Sequence, residues 1–484
     1  MRLRLQLFLR SASVRDINFD IINPNDERID PVVPRMDLNF NNYELKNMNN
    51  TSNGGGITLT SANWVIPYLN FDNYSFKNML GSYGGGAYIQ GARGMFINNS
   101  RFNNCTATNH GGSLFISSIN ENLFLTNTSF INGKAGGIGG SFYLSNIYGE
   151  LFIINCQFMN MISINGGGSI YLDSGAISKN MFQEIICINC SSSSNGGFAY
   201  MGLSHVYSNI SILKVCMMEC FTSSNGKGFF CSLPTNSVSN SSIIISYLSC
   251  IKSSPTKAGI GVIYSNNGNQ LYENNNFTNN MGYYNNIYRL SPKNGLVITY
   301  NNFFNNTVSA YTAVYVDTIN VATYLKYSIF SRNDSPSSYG VVHVVASSGS
   351  NILNIQYSIF FSNLNYLFSA SSYGKLYVLS SHIIHNTHLY SLQFTEGAQC
   401  SIQTNDVIVA VEPTSTYQLS HFSTYLCQTL ENILGLEITP CQTQPVPPTD
   451  CIFETNSGSS GSISLTQLFH IIYVTLAVFS YSLQ

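Results

Sequence analysis

The chain of 484 residues is poor in charge and contains a single tryptophan. Lysine, arginine, aspartate and glutamate together make up 9% of it, and the formal net charge is −2. This composition offers no basic surface for nucleic acid and no acidic run for cations. No stretch keeps a helical period over a useful length. Because charged residues are few, solubility must come from Asn, Ser, Thr and Tyr, which suits a neutral polar surface outside the cell.

What the sequence does have is a repeat of about 28 residues. One line of each unit is a glycine pair that opens a short apolar run. The other is a β-like run that ends in an apolar anchor residue. The predicted anchors are Leu45, Phe76, Phe102, Phe130, Phe158, Ile188, Met218, Leu248, Phe277, Phe303, Phe330, Phe360 and Ile384.

A polar residue stands two positions C-terminal to most anchors. Asn tolerates the left-handed backbone of a tight corner, and stacked Asn side chains can bond to one another. We therefore expect one structural ladder along the repeats. Its predicted members are Asn78, Asn104, Asn132, Asn160, Cys190, Cys220, Cys250 and Asn279. In later units the ladder is expected to shift by one residue, to Asn306, Asn333 and Asn363.

The run before each anchor alternates, as in Leu151 and Ile153, and a period of two is typical of a strand with one buried face. A unit of short strands cannot bury its apolar face alone, but stacked coils can. We therefore expect an all-β fold, a right-handed parallel β-helix of about 13 coils, followed by a C-terminal hydrophobic segment.

These motifs resemble the polymorphic outer-membrane-protein repeat, which is built from GGA[ILV] and FxxN pairs. The matching stretches are GGAY at 85–88, GGSL at 111–114, GGSF at 139–142, GGSI at 167–170, and FTNN, FFNN, FSRN and FFSN from Phe277, Phe303, Phe330 and Phe360. The chain is also similar to related surface proteins of parasitic protists. The resemblance implies adhesion or surface display without catalysis, and it covers residues 39–394.

The two ends differ from the repeats. The N-terminal apolar run, Leu5 to Leu9, is shorter than the core of a secretory signal, so an edge strand capping the solenoid or an incomplete start is expected. Residues 465–483 are about long enough to cross a bilayer. They are predicted to be a transmembrane helix, a GPI-type signal or a buried cap. The predicted regions are an N-terminal cap and lead-in (1–38), the repeats (39–394), a C-terminal rung or cap (395–440), a Pro/Ser/Gly stalk (441–464) and this segment.

The twelve cysteines permit an oxidising compartment. Within the ladder, Cys190, Cys220 and Cys250 are interpreted either as buried thiols in place of Asn or as links between neighbouring coils. Beyond the repeats, Cys427, Cys441 and Cys451 are better disulfide candidates.

The sequence offers few candidate catalytic or metal-binding residues. Sugar hydrolysis needs two close carboxylates, but Asp173 and Asp317 are expected five coils apart in one column. Glu184 and Glu219 are out of phase, and the His382, His385 and His388 pattern fits a polar turn better than a zinc site. We predict no catalytic residues, no metal and no cofactor.

The preferred hypothesis is a membrane-anchored cell-surface protein, adhesin-like, which binds a host-cell protein or glycan and no nucleic acid. The alternatives are a carbohydrate-active enzyme on the same scaffold and a passive coat or antigen. The fold alone does not choose among them.

Overall fold

The computed structural model describes residues 4–7, 38–384 with short gaps, and 399–401. The gaps are 43, 50–52, 61–65, 175–178, 206, 224–226, 234–240, 254–260, 283–287, 293–294, 309–313, 320–322, 336–339, 347–351, 362, 366, 373–374 and 380–381. This part of the chain is all-β without a helix, and its parallel strands stack as a solenoid, so the predicted all-β parallel solenoid is confirmed. The predicted stalk (441–464), the hydrophobic segment (465–483), His385, His388 and the cysteines after residue 401 lie outside it.

Two large sheets run along the solenoid. Sheet 1 holds the strands that follow the glycine pairs, the equivalent strands of coils without a pair, and the N-terminal strand. They are Arg4–Leu7, Ile57–Thr60, Ala87–Gln90, Leu114–Ile119, Phe142–Ile147, Ile170–Ser174, Ala199–Leu203, Lys227–Ser232, Gly261–Asn266, Tyr288–Ser291, Val314–Ile319, Val342–Ala346 and Phe368–Ser372. Its neighbours pair in parallel, except that Arg4–Leu7 lies antiparallel to Ile57–Thr60 at the N-terminal end.

Sheet 2 forms the rest of each coil. Its strands are Leu38–Asn41, Glu44–Lys46, Ile66–Asp72, Ser75–Gly81, Ala92–Asn98, Arg101–Ala107, Leu123–Thr126, Ser129–Ile131, Lys134–Ala135, Leu151–Ile154, Gln157–Met159, Ile162–Ser163, Lys179–Ile188, Ser191–Ser192, Asn209–Met218, Phe221–Thr222, Ser242–Ile251, Asn269–Glu273, Asn276–Thr278, Gly295–Thr299, Asn302–Phe304, Thr323–Lys326, Ile329–Ser331, Ile352–Gln356, Ile359–Phe361, Lys375–Leu379, His382–Ile384 and Gln399–Ser401. A small sheet 3 continues it with Met281–Gly282, Thr307–Val308, Asp334–Ser335 and Leu364–Asn365.

Left-handed corners divide sheet 2 into short straight segments. In one coil the strand Leu123–Thr126 ends at Asn127 with φ 49°, and Ser129–Ile131 ends at Asn132 with φ 53°. Asn is the non-glycine residue that adopts this conformation most readily, which explains why it recurs there. The chain then turns through Gly139, with φ 72°, into sheet 1 of the next coil.

Large apolar side chains fill the interior in one anchor column. Its register passes through Leu45, Phe76, Phe102, Phe130, Phe158, Cys187, Met217, Cys250, Phe277, Phe303, Phe330, Phe360 and Ile383. Consecutive phenylalanines stack face to face, as Phe102 and Phe130 do at 4.9 Å between ring centroids. The ring of Phe130 is fully buried. This column is the core around which each coil closes.

Four predicted anchors were wrong. The column contains Cys187, Met217, Cys250 and Ile383 where the sequence pattern indicated Ile188, Met218, Leu248 and Ile384. Around Cys187 the outward neighbours Ile186 and Ile188 are only 4% and 8% exposed. Because both faces of this strand are buried, apolar residues occupy consecutive positions and hide the alternation.

Most coils have two left-handed corners in sheet 2, at Asn127 and Asn132 in the coil described above. The exposed ladder is the column at the second of these corners, hereafter the outer corner column. Its members, all with positive φ, are Asn47, Asn78, Asn104, Asn132, Asn160, Asn189, Glu219, Lys252, Asn279, Asn305 and Arg332. The amide of Asn78 donates to Asn47 over 2.8 Å, and that of Asn104 to Asn78 over 2.9 Å. The predicted asparagines are thus placed in one file.

The three predicted cysteines do not belong to that file. Asn189, Glu219 and Lys252 occupy its positions instead. Cys250 lies in the anchor column, between Met217 and Phe277. The other two cysteines lie one residue beyond the corner and point into the core, because a residue that follows a left-handed corner faces inward. The error is a direct consequence of the misplaced anchors.

A second, buried file runs beside the outer one, and we call it the inner corner column. It comprises Met161, Cys190, Cys220, Ser253, Asn280, Asn306, Asn333 and Asn363. The predicted shift of the ladder is therefore wrong, because Asn305 and Asn306 belong to two coexisting columns. Asn333 is fully buried, whereas Asn305 is exposed.

Glycine pairs let the coils approach where sheet 2 turns into sheet 1. A Cβ on Gly140 would lie 1.9 Å from the carbonyl oxygen of Gly168 in the next coil. The first glycine has positive φ in five successive pairs, from Gly84 to Gly196. The register shows that the pair near residue 85 is Gly84-Gly85, one residue earlier than the sequence pattern indicated, because Ala87 pairs with Leu114.

Candidate binding surface

The outward face of sheet 1 bears a continuous line of aromatic rings, hereafter the aromatic stripe. Each ring directly follows a buried, inward-facing residue of its strand, so alternation points it outward. The members are Tyr88, Phe115, Tyr143, Tyr171, Tyr200, Phe230 and Tyr264, and each is partly exposed. The register continues through Arg289 to Tyr315 and His343.

The rings of the stripe stack on one another along the solenoid axis. Centroid distances lie between 4.5 Å for Tyr171–Tyr200 and 5.7 Å for Tyr143–Tyr171. The planes of Tyr200 and Phe230 differ by only 3°. Each inner ring therefore has both faces covered by neighbours and presents its edge to solvent. For tyrosines the hydroxyl lies on that edge.

Two further rings broaden the stripe at its N-terminal end. Tyr83 packs edge-on against Phe115 at 5.4 Å, and His110 stacks with Tyr143 at 5.5 Å. Both come from the turn that precedes sheet 1. The broadened end combines apolar ring edges, hydroxyls and an imidazole.

Burial raises the pKa of the hydroxyls of Tyr88, Tyr171 and Tyr200, and neighbouring tyrosines add to the effect for Tyr88 and Tyr171. These hydroxyls are therefore neutral near pH 7 and can both donate and accept hydrogen bonds. The surface combines apolar edges with neutral polar tips, a combination enriched at protein interfaces.

The outward face of the strand that carries the anchor column is too buried to bind a partner along much of the solenoid. From Ile186 onward most of its outward side chains are buried, including Ile251 at 6%, Phe304 at 6% and Ile329 at 4% exposure. On the strand before it, a shorter aromatic stack of Phe96, Phe124 and Phe152 is partly exposed, with centroids 4.8 Å apart. Sheet 1 thus carries the longest aromatic surface in the part of the chain that the structure describes.

The acidic residues singled out in the sequence are dispersed. Asp173 shares its register with Ser145 and Gly202, so neither adjacent coil supplies a second carboxylate in that column. Asp317 follows Val316, several coils away. Glu184 pairs with Lys214 over 3.3 Å at the first corner, whereas Glu219 stands at the second.

His382 begins the strand His382–Ile384, and the other two histidines of its pattern lie outside the described residues. Within those residues, one group of potential metal ligands converges, namely Cys187, Cys190 and Cys220, all buried. Spacing alone missed this trio because the anchor role of Cys187 was assigned to its neighbour.

Sequence reasoning also missed the aromatic stripe, although a signal was present. An aromatic residue stands second in AYI, LFI, FYL, IYL and AYM, the strands after five successive glycine pairs. Phasing it required knowing which residue of each strand faces the core.

In the described part of the chain no helix is both long and apolar enough to cross a bilayer. No family model, curated protein or solved structure matches this sequence.

Proposed function

We propose that this protein is a non-catalytic, adhesin-like binding protein of the cell surface, whose solenoid contacts a partner through the aromatic stripe. Residues 465–483 would hold it in the membrane, as a helix or through a GPI-type signal. The observation that carries the proposal is the unbroken run of stacked, partly exposed rings on one sheet. Interior packing does not require aromatic residues at these outward positions.

The stacking favours a protein partner over a glycan. Aromatic side chains hold sugar rings chiefly by offering an open face. In the stripe, ring faces are covered by the next coil, at 4.6 Å for Tyr200 and Phe230. What remains are edges and hydroxyls, which suit the mixed apolar and polar surface of a protein.

The low charge of the chain supports the same reading. With a net charge of −2, long-range electrostatic attraction contributes little to encounter. Binding should therefore depend weakly on salt. The dispersed carboxylates give no specific support to the alternative of a carbohydrate-active enzyme.

The repeat resemblance fits this proposal, since surface display is what the polymorphic outer-membrane-protein repeat implies. A passive coat remains the competing function on the same fold. It differs in one testable respect, because a coat needs no particular face.

A matched pair of substitutions tests the proposal. Phe115 and Phe124 belong to the same coil, are partly exposed, and are each sandwiched between two rings 4.7–4.8 Å away. Phe115→Ser interrupts the stripe, whereas Phe124→Ser makes the same change in the other stack. Tagged full-length protein is first located by labelling intact cells, and each purified variant is then titrated onto target cells.

Phe115→Ser is expected to weaken binding about tenfold or more, and Phe124→Ser to leave it unchanged. Protease treatment of the target cells should abolish binding, and glycosidase treatment should not. Absence of surface label, equal loss in both variants, or sensitivity only to glycosidase would each contradict the proposal.

A further inference from the structure

Three buried thiols meet inside the solenoid at one corner. Cys187 lies in the anchor column between Phe158 and Met217. Cys190 follows it around the corner in the same coil, and Cys220 lies directly beyond Cys190 in the next coil. The three Sγ atoms lie within 4.8 Å of one another, and none of the three residues is exposed.

The geometry distinguishes one pair within this trio. The Sγ atoms of Cys187 and Cys220 are 3.4 Å apart and belong to consecutive coils. Their side chains come from different columns and converge across the corner. Cys190 and Cys220 stack in the same column with parallel side chains. This arrangement disfavours the Cβ–Sγ–Sγ–Cβ dihedral angle near 90° that a disulfide requires.

The surroundings hold the thiols in place but offer few charged groups. The Sγ atom of Cys220 donates to the carbonyl oxygen of Cys187 over 3.7 Å, and that of Cys190 donates to the carbonyl of Phe158 over 3.7 Å. The hydroxyl of Ser169 lies 3.6 Å from the Sγ atom of Cys187. A multiply charged metal–thiolate group would be costly to bury here.

We propose that Cys187 and Cys220 form a disulfide that joins two consecutive coils through the core, while Cys190 remains a thiol. The proposal rests on the extracellular location proposed above, since such bonds persist in oxidising compartments. The oxidant is a small-molecule disulfide of the oxidised glutathione class. One cysteine thiolate attacks it, giving a mixed disulfide and releasing one glutathione thiol. The second cysteine then displaces the other, so two electrons and two protons leave the protein with two reduced glutathiones.

Complete burial fixes when this step occurs. The closed solenoid admits no oxidant to the three thiols, so the bond must form while these coils assemble. The resulting link closes a loop between two neighbouring coils and constrains the unfolded chain.

The experiment uses the full-length chain, reduced, unfolded and then refolded in a buffer of reduced and oxidised glutathione. Free thiols are blocked with an alkylating agent in denaturant, and the protein is digested without reduction and analysed by mass spectrometry. The expected product is a cross-linked peptide pair containing Cys187 and Cys220, with Cys190 alkylated. Cys187→Ser and Cys220→Ser should each abolish the pair, and Cys190→Ser should retain it.

A Cys190–Cys220 link, alkylation of all three residues, or co-purification of a soft metal ion that protects all three thiols would each overturn the proposal. Because refolding is done in a defined redox buffer, this result does not depend on where the protein resides. Cell-surface labelling tests the location separately, so the two failures are distinguishable.

Discussion

The side-chain amide of Asn306 donates a hydrogen bond to the carbonyl oxygen of Phe277, one coil earlier, over 2.9 Å. Its oxygen accepts the backbone N–H of Asn280 over 3.0 Å. Asn333 and Asn363 repeat the arrangement toward Phe303 and Phe330. In the C-terminal half of the solenoid, each of these three asparagines thus supplies both a donor and an acceptor that tie its coil to the previous one.

Removing one of these side chains should be costly. Asn306→Ala leaves the Phe277 carbonyl and the Asn280 N–H without this partner in the core, so we expect a loss of about 3 kcal/mol in the free energy of unfolding. The matched control is Asn305→Ala, its exposed neighbour with φ 50°. It should lose about 1 kcal/mol, chiefly because Ala tolerates the left-handed backbone less well, since its bond to the Asn279 Oδ1 is exposed to water. Urea unfolding of both variants measures the difference, and equal losses would contradict the role of the inner corner column.

A glycine pair provides a second test. In Gly140→Ala the new methyl group meets the Gly168 carbonyl oxygen at 1.9 Å and the Ile162 backbone at 2.9 Å, and no side-chain movement relieves these contacts. We expect a loss of about 3 kcal/mol or more.

The control is Gly295→Ala, where the nearest atom to the new methyl group is the Asn269 Oδ1 at 3.4 Å. This variant should match the wild type or gain about 0.5 kcal/mol. Thermal unfolding of the two variants decides the matter, and tolerance of Ala at position 140 would show that the coils do not approach as described.

The imidazole of His343 makes stability depend on pH. It is 1% exposed and bonded to the Ser369 hydroxyl over 2.7 Å. Burial lowers its pKa from 6.5 to about 4, and the Asp317 carboxylate opposes the shift. The unfolded chain therefore binds a proton at higher pH than the folded one. Stability from this group is complete above pH 6.5 and falls as the pH drops toward 4.

His343→Phe should remove that part of the pH dependence, about 3 kcal/mol between neutral pH and pH 4. Phe is close to His in shape and is apolar, as the buried site requires, and it occupies the equivalent register at Phe115 and Phe230. Unfolding midpoints of wild type and variant across this range give the measurement. Parallel curves would mean that His343 does not titrate as a buried group.

The sequence predicts this fold where one face of a strand is exposed and the other buried. Phe130, flanked by the partly exposed Ser129 and Ile131, shows the alternation plainly, and the asparagine behind it is correctly phased. At Ile186 and Ile188 both faces are buried, so hydrophobicity no longer distinguishes inward from outward. Because of this ambiguity, the sequence pattern assigned Cys190 and Cys220 to the wrong column and did not identify Cys187 as an anchor.

The candidate surface was harder to predict because it depends on the third dimension. Tyr143 and Tyr171 are 28 residues apart, and only the coil register brings their rings to 5.7 Å. The repeat indicated that equivalent residues of successive coils form columns. It did not indicate which tyrosines face outward, since that depends on which residue of each sheet 1 strand packs against the anchors.

The central claim, that successive coils lie in register, can be tested by distances along the outer corner column. A spin label on a keto-bearing unnatural amino acid, which leaves the native cysteines untouched, is placed at position 305 and paired with one at 104, 132 or 160. These pairs span seven, six and five coil steps. Double electron–electron resonance should give roughly 34, 29 and 24 Å, falling by about 5 Å per coil. Distances that do not shorten by this constant step would contradict the stacked solenoid and everything inferred from its columns.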